Sequence, residues 1–437
     1  MSGSDTVFYV KPGGALHGAV RVAGDKSISH RSIMLGSLAE GVTEVNGFLE
    51  GDDCLATMNA FRAMGVTIDH HGEGRVRIEG AGLKGLKKPA GPLDLGNSGT
   101  SMRLLAGICA GQAFDVTLTG DASLSKRPMR RVTEPLEAMG ARIETAAGGT
   151  PPLKIAGGHP LKGMDYVLPM ASAQVKSCVL LAGMYAEGET CTTEPAPTRD
   201  HTERMLNGFG YSVQRQGARA CLQGGGKLTA ARLDVPADIS SAAFFMVGAS
   251  IAPNSDITLE NVGINPTRDG VITILREMGA NIEVLNPREV CGEPVADIRV
   301  RAARLHGIAI PEAQVPLAID EFPAIFVAAA CAEGTTVLTG AEELRVKESD
   351  RIQVMADGLQ ALGISAEPTP DGIRIQGGQL GAGTVQSHGD HRISMSFAMA
   401  ALRARGEIII EDCANVNTSF PGFVELAARC GLNISQN

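Results

Sequence analysis

The chain has 437 residues, 44% of them apolar and 20% charged, with a formal net charge of −9. That length fits two or three globular domains with a sizeable core, and the excess of acid argues against a general nucleic-acid or anionic-membrane binder. No apolar run nears the ~18 residues of a spanning helix, and the first twenty residues lack the apolar core of a signal peptide.

Along the chain two kinds of helical pattern alternate. The stretch "SHRSIMLGSLA" from Ser29 is apolar on nearly every side, the pattern of a buried helix. "FRAMGVTID" then carries apolar residues at helical spacing up to Gly65 and continues as an alternating, strand-like stretch. The same two signals return as "SMRLLAGICA" from Ser101 with "LEAMGARIE" at Gly140, and as "SAQVKSCVLLAG" from Ser172 with "LNGFGYSVQ" at Gly210. They return again as "SSAAFFMVGAS" from Ser240 with "LREMGANIE" at Gly279, and as "DEFPAIFVAAACA" from Asp320 with "LQALGISAE" at Gly363. The last pair is "DHRISMSFAMAA" from Asp390 with "LAARCGLNIS" at Gly431. Each glycine is the expected left-handed stop of a helix, and each leading Ser or Asp is the expected N-cap. "VRIEG", "LKIAG", "DIRV" and "IRIQG" read as returning strands.

The unit recurs every ~70–85 residues, longer than a solenoid repeat. Six such units predict two α/β domains of three, each unit holding one buried helix, one amphipathic helix and several short strands. The crossings fall near Gly24 and Ser240, giving a discontinuous domain of 1–23 plus 242–437 and an inserted domain of 24–241. Nine cysteines, none in C-x-x-C, predict free thiols in a reducing cytoplasm rather than a disulfide framework.

Helix N-termini bind anions through free amides and aligned dipoles, so the polar residues at those ends are the candidates for function. Lys26, Ser27 and Arg31 flank the first buried helix, "LGNSGTSMR" the second and "ASAQVK" the third. Asp320 and Asp390–His391–Arg392 stand at the fifth and sixth. Two charged runs, "SKRPMRR" and "RVKESDR", add further cations; on a helix, Lys347 and Arg351 would share a face with Glu348 beside them. Arginines near helix starts in an acidic protein point to a pocket for a multiply anionic small molecule. "GNSGT" lacks the final glycine of a nucleophile elbow, and "GGGKL" lacks the Ser/Thr of a phosphate-binding P-loop. His388 and His391 have no third ligand nearby in sequence, so no metal site is expected. Lys26, Asp320, Glu348 and His391 remain for acid–base work.

Eight motifs in order, "GDKSISHR", "LGNSGTSMR", "SKRPM", "PMASAQVKS", "NPTRDG", "RVKESDR", "GDHRISMSF" and "NTSFPGF", span nearly the whole chain. Together they closely resemble the 5-enolpyruvylshikimate-3-phosphate synthase family of enolpyruvyl transferases. The resemblance implies a two-domain inverse α/β barrel, each domain three β-α-β-α-β-β repeats, with the active site in an interdomain cleft. It also implies transfer of the enolpyruvyl group of phosphoenolpyruvate to the 5-hydroxyl of shikimate 3-phosphate by addition and elimination, with no cofactor or metal and in a monomer. Paired acid and base groups suit that chemistry, because a methylene carbon gains a proton while a hydroxyl loses one.

Carried over motif by motif, Lys26, Arg127, the Gly99 backbone and Gln174 would hold the phosphoenolpyruvate phosphate, and Arg351 and Arg392 its carboxylate. Ser27, Arg31, Ser172, Ala173, Gln174 and Arg199 would surround shikimate 3-phosphate. Asp320 and Lys347 would contact its hydroxyls, with Asp320 as the base. Glu348 leads for proton transfer at the methylene carbon, with Lys26 as competitor. The chain departs from many members at Ala173, where they have a second serine, at Thr418, where they have lysine, and in "TRDHTER", where Arg199 would replace a serine and tyrosine. Gly99 corresponds to the small residue associated with glyphosate sensitivity. The alternatives are UDP-N-acetylglucosamine enolpyruvyl transferase, which has Lys-Asn where this chain has Lys26-Ser27 and usually a loop cysteine that Leu124–Arg130 lacks, and a non-catalytic anion-binding protein on the same scaffold.

Overall fold

The computed structural model describes residues 6–437, and the alternation of two helix kinds runs through them. The amphipathic helices Asp52–Ala63, Arg130–Ala138, His201–Gly208, Gly270–Glu277, Arg351–Ala361 and Phe423–Cys430 each end one or two residues before the repeat glycine. All six of those glycines have φ between 79° and 120°, where a Cβ would be strained, which is why the phrase keeps glycine there.

The buried helices are Lys26–Leu38, Gly99–Ala110, Ala173–Gly183, Ile239–Ile251, Phe322–Cys331 and His391–Ala400. Ser172 and Asp390 cap theirs as expected, three of the other four helices begin up to a turn earlier than the sequence suggested, and the fifth begins one residue later. Asp25, not Ser29, caps the first: its Oδ1 accepts from the Ile28 amide at 2.8 Å, and Ser29 is left inside the helix to accept from the Leu49 amide at 3.0 Å. Ser98 replaces Ser101, and Asp238 replaces Ser240, by the same side-chain-to-amide bond. The fifth helix starts after Glu321 with no side-chain cap and Pro323 in its first turn, where a missing N–H costs nothing. Apolar patterning locates a buried helix; the cap depends on which upstream side chain can turn back.

The described strands form six sheets, one per repeat. In the second repeat Leu93–Asp94 runs parallel to Val116–Thr119, which pairs antiparallel with Thr150–Ala156, itself paired with Arg142–Ala146. With the intervening helices this is the β-α-β-α-β-β order. The four predicted returning strands coincide with Arg75–Ala81, Thr150–Ala156, Glu293–Arg301 and Gly372–Gln376, except that Gly157 and Gly377 fall just past their strands.

The chain divides into two compact units, one of residues 1–23, 236–288 and 294–437 and one of 24–235 and 289–293. The division therefore falls between Val235 and Pro236 rather than at 241/242, and five residues of a later hairpin count with the second unit. In the second unit Leu228–Thr229 and Arg232–Asp234 return to pair parallel with Ala39–Asn46, where the unit's chain begins. In the first unit His17–Val20 pairs with Asp256–Gly263, and Phe8–Gly14 lies between Ile408–Glu411 and Leu432–Gln436.

Within the first unit the three buried helices pack on one another in a core that includes the Phe245, Phe420 and Phe423 rings. In the second unit the helices Gly99–Ala110 and Ala173–Gly183 approach so closely that a Cβ on Gly107 would lie 2.3 Å from the Cys178 carbonyl oxygen. Two cysteines depart from the expectation of free thiols. Cys191 and Cys221 stand directly opposite each other on antiparallel strands and are disulfide-bonded, a pairing set by strand register that spacing along the chain does not reveal. The other seven are free.

Candidate active site

The second unit gathers cations at the starts of its buried helices. Arg31 is buried in the first: its Nε donates to Thr202 Oγ1 at 2.7 Å, its Nη2 to Ser177 Oγ at 3.0 Å and its Nη1 to the Ser27 carbonyl at 2.9 Å. Burial pushes this guanidinium down to about 10, against the lift of Glu203, Asp25 and Glu293, and Arg199 lowers it further. The Arg199 charge is thus near enough to act on Arg31, and like charges this close favour a nearby anion. Lys26 pairs with Asp53. His30, between Lys26 and Arg31, is held well below its usual range by burial and by those two cations. Its Nδ1 shares a hydrogen bond with Thr57 Oγ1 (2.8 Å), which is joined to Ser101 Oγ (2.6 Å) and so to the Ser98 cap.

Around the second buried helix, Arg127 Nη2 donates to Asn97 Oδ1 at 2.5 Å and Arg103 Nη1 to Gln174 Oε1 at 2.5 Å, while Gln174 Nε2 donates to Thr100 Oγ1 at 3.0 Å. A Cβ on Gly99 would sit 3.1 Å from Arg127 Nη1 and 3.2 Å from Arg103 Nη1, so this helix start lies open to both guanidiniums. Burial, with Arg127 and Arg131 adding, pushes Arg103 down to about 10. Ser172 caps the third helix through the Val175 amide at 3.3 Å, with Ala173 as its first residue.

The first unit is built differently. Arg351, 1% exposed, sits among three carboxylates: Nε donates to Asp390 Oδ2 at 2.8 Å, Nη1 to Asp320 Oδ1 at 3.2 Å and Nη2 to Glu348 Oε2 at 2.6 Å. Asp390 also caps its helix, accepting from the Arg392 amide (3.0 Å), and accepts from Ser349 Oγ (3.0 Å). Lys347 Nζ lies 3.6 Å from Asp320 Oδ1 and also pairs with Glu343. Arg392 Nη1 donates to the Asp320 carbonyl at 3.0 Å and lies 3.9 Å from Glu321.

Glu348 has a half-exposed side chain; against the partial burial that would raise its carboxyl, Arg351, with Arg392, holds the group at about 2. Those carboxylates in turn hold the Arg351 guanidinium above its ordinary value in spite of burial. Burial and the adjoining Arg392 push His391 down to about 3, so it is neutral at physiological pH. Lys347, Glu348 and Arg351 meet here through a change of structure, not on one helix. Glu342–Val346 is a 3-10 turn, and the helix begins only at Arg351, capped by Asp350.

All the carried-over residues thus lie in two sets. Lys26, Ser27, Arg31, Gly99, Arg127, Ser172, Ala173, Gln174 and Arg199 belong to the second unit; Asp320, Lys347, Glu348, Arg351 and Arg392 belong to the first. Sequence reasoning passed over Arg103, although it stood in a quoted motif, and placed Asp390 at a helix start without giving it a role. A charged residue inside an otherwise apolar helix, as Arg103 is, was the available signal.

Cations at helix starts in one threefold unit, and carboxylates gathered on one guanidinium in the other, define an α/β enzyme suited to acid–base chemistry on small anions. A family model described as EPSP synthase (3-phosphoshikimate 1-carboxyvinyltransferase) matches residues 10–426. A 3-phosphoshikimate 1-carboxyvinyltransferase of Methylococcus capsulatus is 72% identical, covering 99% of both chains, and one of Alkalilimnicola ehrlichii is 70% identical, covering 98% of this chain and 96% of its own. The solved EPSP synthase of Acinetobacter baumannii superposes with a TM-score of 0.94 at 60% identity, over 99% of this chain and all of the other. The chain belongs to the EPSP synthase family.

Proposed function

We propose that the chain transfers the enolpyruvyl group of phosphoenolpyruvate to the 5-hydroxyl of shikimate 3-phosphate and releases phosphate, as a 3-phosphoshikimate 1-carboxyvinyltransferase. The 5-hydroxyl oxygen attacks the central carbon of phosphoenolpyruvate while the methylene carbon takes a proton, giving a tetrahedral adduct. Loss of a proton from the new methyl group then restores the double bond as the carbon–oxygen bond to phosphate breaks. One proton acceptor and one donor are needed in each half, with their roles exchanged.

The observation that carries this reading is the placing of Asp320 and Glu348 on opposite nitrogens of Arg351, at 3.2 and 2.6 Å. Asp320, with Lys347 beside it, is the base for the 5-hydroxyl. Glu348 is the proton carrier at the methylene carbon, with Lys26 as the competing candidate. In the ligand-free arrangement Glu348 is locked as a carboxylate by Arg351. A substrate carboxylate taken up by Arg351 and Arg392 would compete for that guanidinium and let the Glu348 carboxyl rise towards a value at which it can carry a proton. In the second unit Lys26, Arg127, the Gly99 amide and Gln174 serve the phosphate of phosphoenolpyruvate. Ser27, Arg31, Ser172, Ala173, Gln174 and Arg199 serve shikimate 3-phosphate.

We also place the chain in the cytoplasm as a monomer. Seven free cysteines support the first, and among the described residues no helix is long and apolar enough to cross a membrane. The exposed large apolar side chains among those residues are Tyr9, Val42, Val167, Met170 and Val346, too few for the apolar core of an obligate interface.

The test is phosphate release from phosphoenolpyruvate with shikimate 3-phosphate or UDP-N-acetylglucosamine as acceptor. Release with shikimate 3-phosphate alone, abolished by Asp320→Asn, is the expected result. Release with the sugar nucleotide would give the reaction to the sister family, and tight binding of shikimate 3-phosphate without turnover would leave only an anion-binding protein.

A further inference from the structure

Lys176 has no part in the chemistry above, yet it is 1% exposed in the middle of a buried helix. A buried ammonium needs close anionic partners, and it has two, Glu203 Oε1 at 2.8 Å and Glu194 Oε2 at 3.2 Å. Both carboxylates are themselves buried. They stand at the two ends of a segment that leaves the strand Glu189–Thr193, turns through "PAPTRD" and enters the helix His201–Gly208. Inside that segment Thr198 Oγ1 donates to Glu194 Oε2, one residue before Arg199. At its far end Thr202 Oγ1 donates to Ser177 Oγ at 2.7 Å and accepts from Arg31 at 2.7 Å.

We infer that Lys176 is a positioning residue: through Glu194 and Thr198 at one end and Glu203 at the other, it fastens this segment to the helix that carries Ser172 and Gln174, and so fixes Arg199 beside Arg31 before any ligand arrives. The two like charges repel, and a free loop would relax by swinging Arg199 into water. Held in place, the pair presents a ready seat for a phosphate monoester, and the ordering that binding would otherwise demand is already done.

The inference rests on Arg199 contacting the phosphate of shikimate 3-phosphate, and its test separates the two claims. Thr198→Val cuts the link between Glu194 and the Arg199 turn without changing any charge, and Thr198→Ser keeps it. Glu194→Gln weakens the clasp and keeps an oxygen for Thr198. For the two weakened variants KM for shikimate 3-phosphate should rise three- to tenfold, with kcat and KM for phosphoenolpyruvate within twofold, and Thr198→Ser should match the parent. Arg199→Ala should raise the same KM more, and adding Thr198→Val to it should have no further effect. If Arg199→Ala changes KM but Thr198→Val and Glu194→Gln do not, the clasp is refuted and the phosphate reading stands. If Arg199→Ala leaves KM unchanged, the phosphate reading fails first. Equal losses for both substrates would make the segment merely structural. Because Lys176→Met would bare two buried carboxylates and could unfold the chain, it is not the variant of choice.

Discussion

The two units share a repeat and a helix arrangement but hold Arg31, Arg103 and Arg127 in one, and Arg351 in the other, in opposite ways. In the second, Arg31, Arg103 and Arg127 are held by hydroxyls, amides and a carbonyl, with none of those bonds going to a carboxylate. In the first, Arg351 is enclosed by Asp320, Glu348 and Asp390. A guanidinium bonded to neutral oxygens keeps its charge for an incoming anion, whereas one already bonded to acids holds those acids in place and sets their protonation. One unit is made as a receptor and the other as a proton-handling device, so variants in the first should act on kcat and variants in the second on KM.

The sharpest way to break that contrast is Asp320→Asn. Loss of the base should lower kcat by ~10²–10⁴ with both KM values within a few-fold in steady-state phosphate release; a change confined to KM would make Asp320 a binding group. Arg351→Met should reduce folding stability by ~3–5 kcal/mol, because it strands three carboxylates about a buried site. Arg127→Met, which gives up only an amide partner, should change it by no more than ~0.5 kcal/mol. Guanidinium unfolding of the two variants side by side decides the matter.

Acid should expose the buried histidines. His391 titrates near 3 in the fold against 6.5 when unfolded, so below pH 6.5 the unfolded chain takes up a proton that the native one refuses. Its contribution to stability is whole above pH 6.5 and is lost as the pH falls from there towards 3, at a slope of at most ~1.4 kcal/mol per pH unit. Urea midpoints measured from pH 7 to 5 should fall less steeply in His391→Gln, with His30 supplying part of the remaining slope.

Smaller effects sharpen the contrast. Gly99→Ala should raise KM for phosphoenolpyruvate by about tenfold, ~1.4 kcal/mol, because its methyl group crowds the Arg127 and Arg103 guanidiniums, while leaving kcat within threefold. Last, kcat/KM reports the free enzyme, in which Glu348 lies at about 2. Its profile should therefore show no Glu348 inflection between pH 4.5 and 7, and any such inflection should be confined to kcat.

The repeats, the buried helices and the six stop glycines were legible because each is a local pattern with a local cause. The cap positions were not, since Ser29, Ser101 and Ser240 satisfy the same residue preference as Asp25, Ser98 and Asp238, and only backbone geometry chooses between them. Nor was the Cys191–Cys221 bond, which follows from the register of strands thirty residues apart. Lys176 was visible as a charge out of place within "SAQVKSCVLLAG", but its meaning lay in Glu194 and Glu203, which reach it only once the segment has turned.

The return of each unit's last strand to its first has a consequence for synthesis. Every sheet built from residues 24–235 can be complete once Asp234 has left the ribosome. Phe8–Gly14, by contrast, waits for both of its neighbours, Ile408–Glu411 and Leu432–Gln436. For most of translation this early-made strand has its edges unpaired, an invitation to aggregation and a natural client for a chaperone. This strand waits on pairings made some four hundred residues later in the chain, and removing Leu432–Gln436 would deprive it of one edge for good.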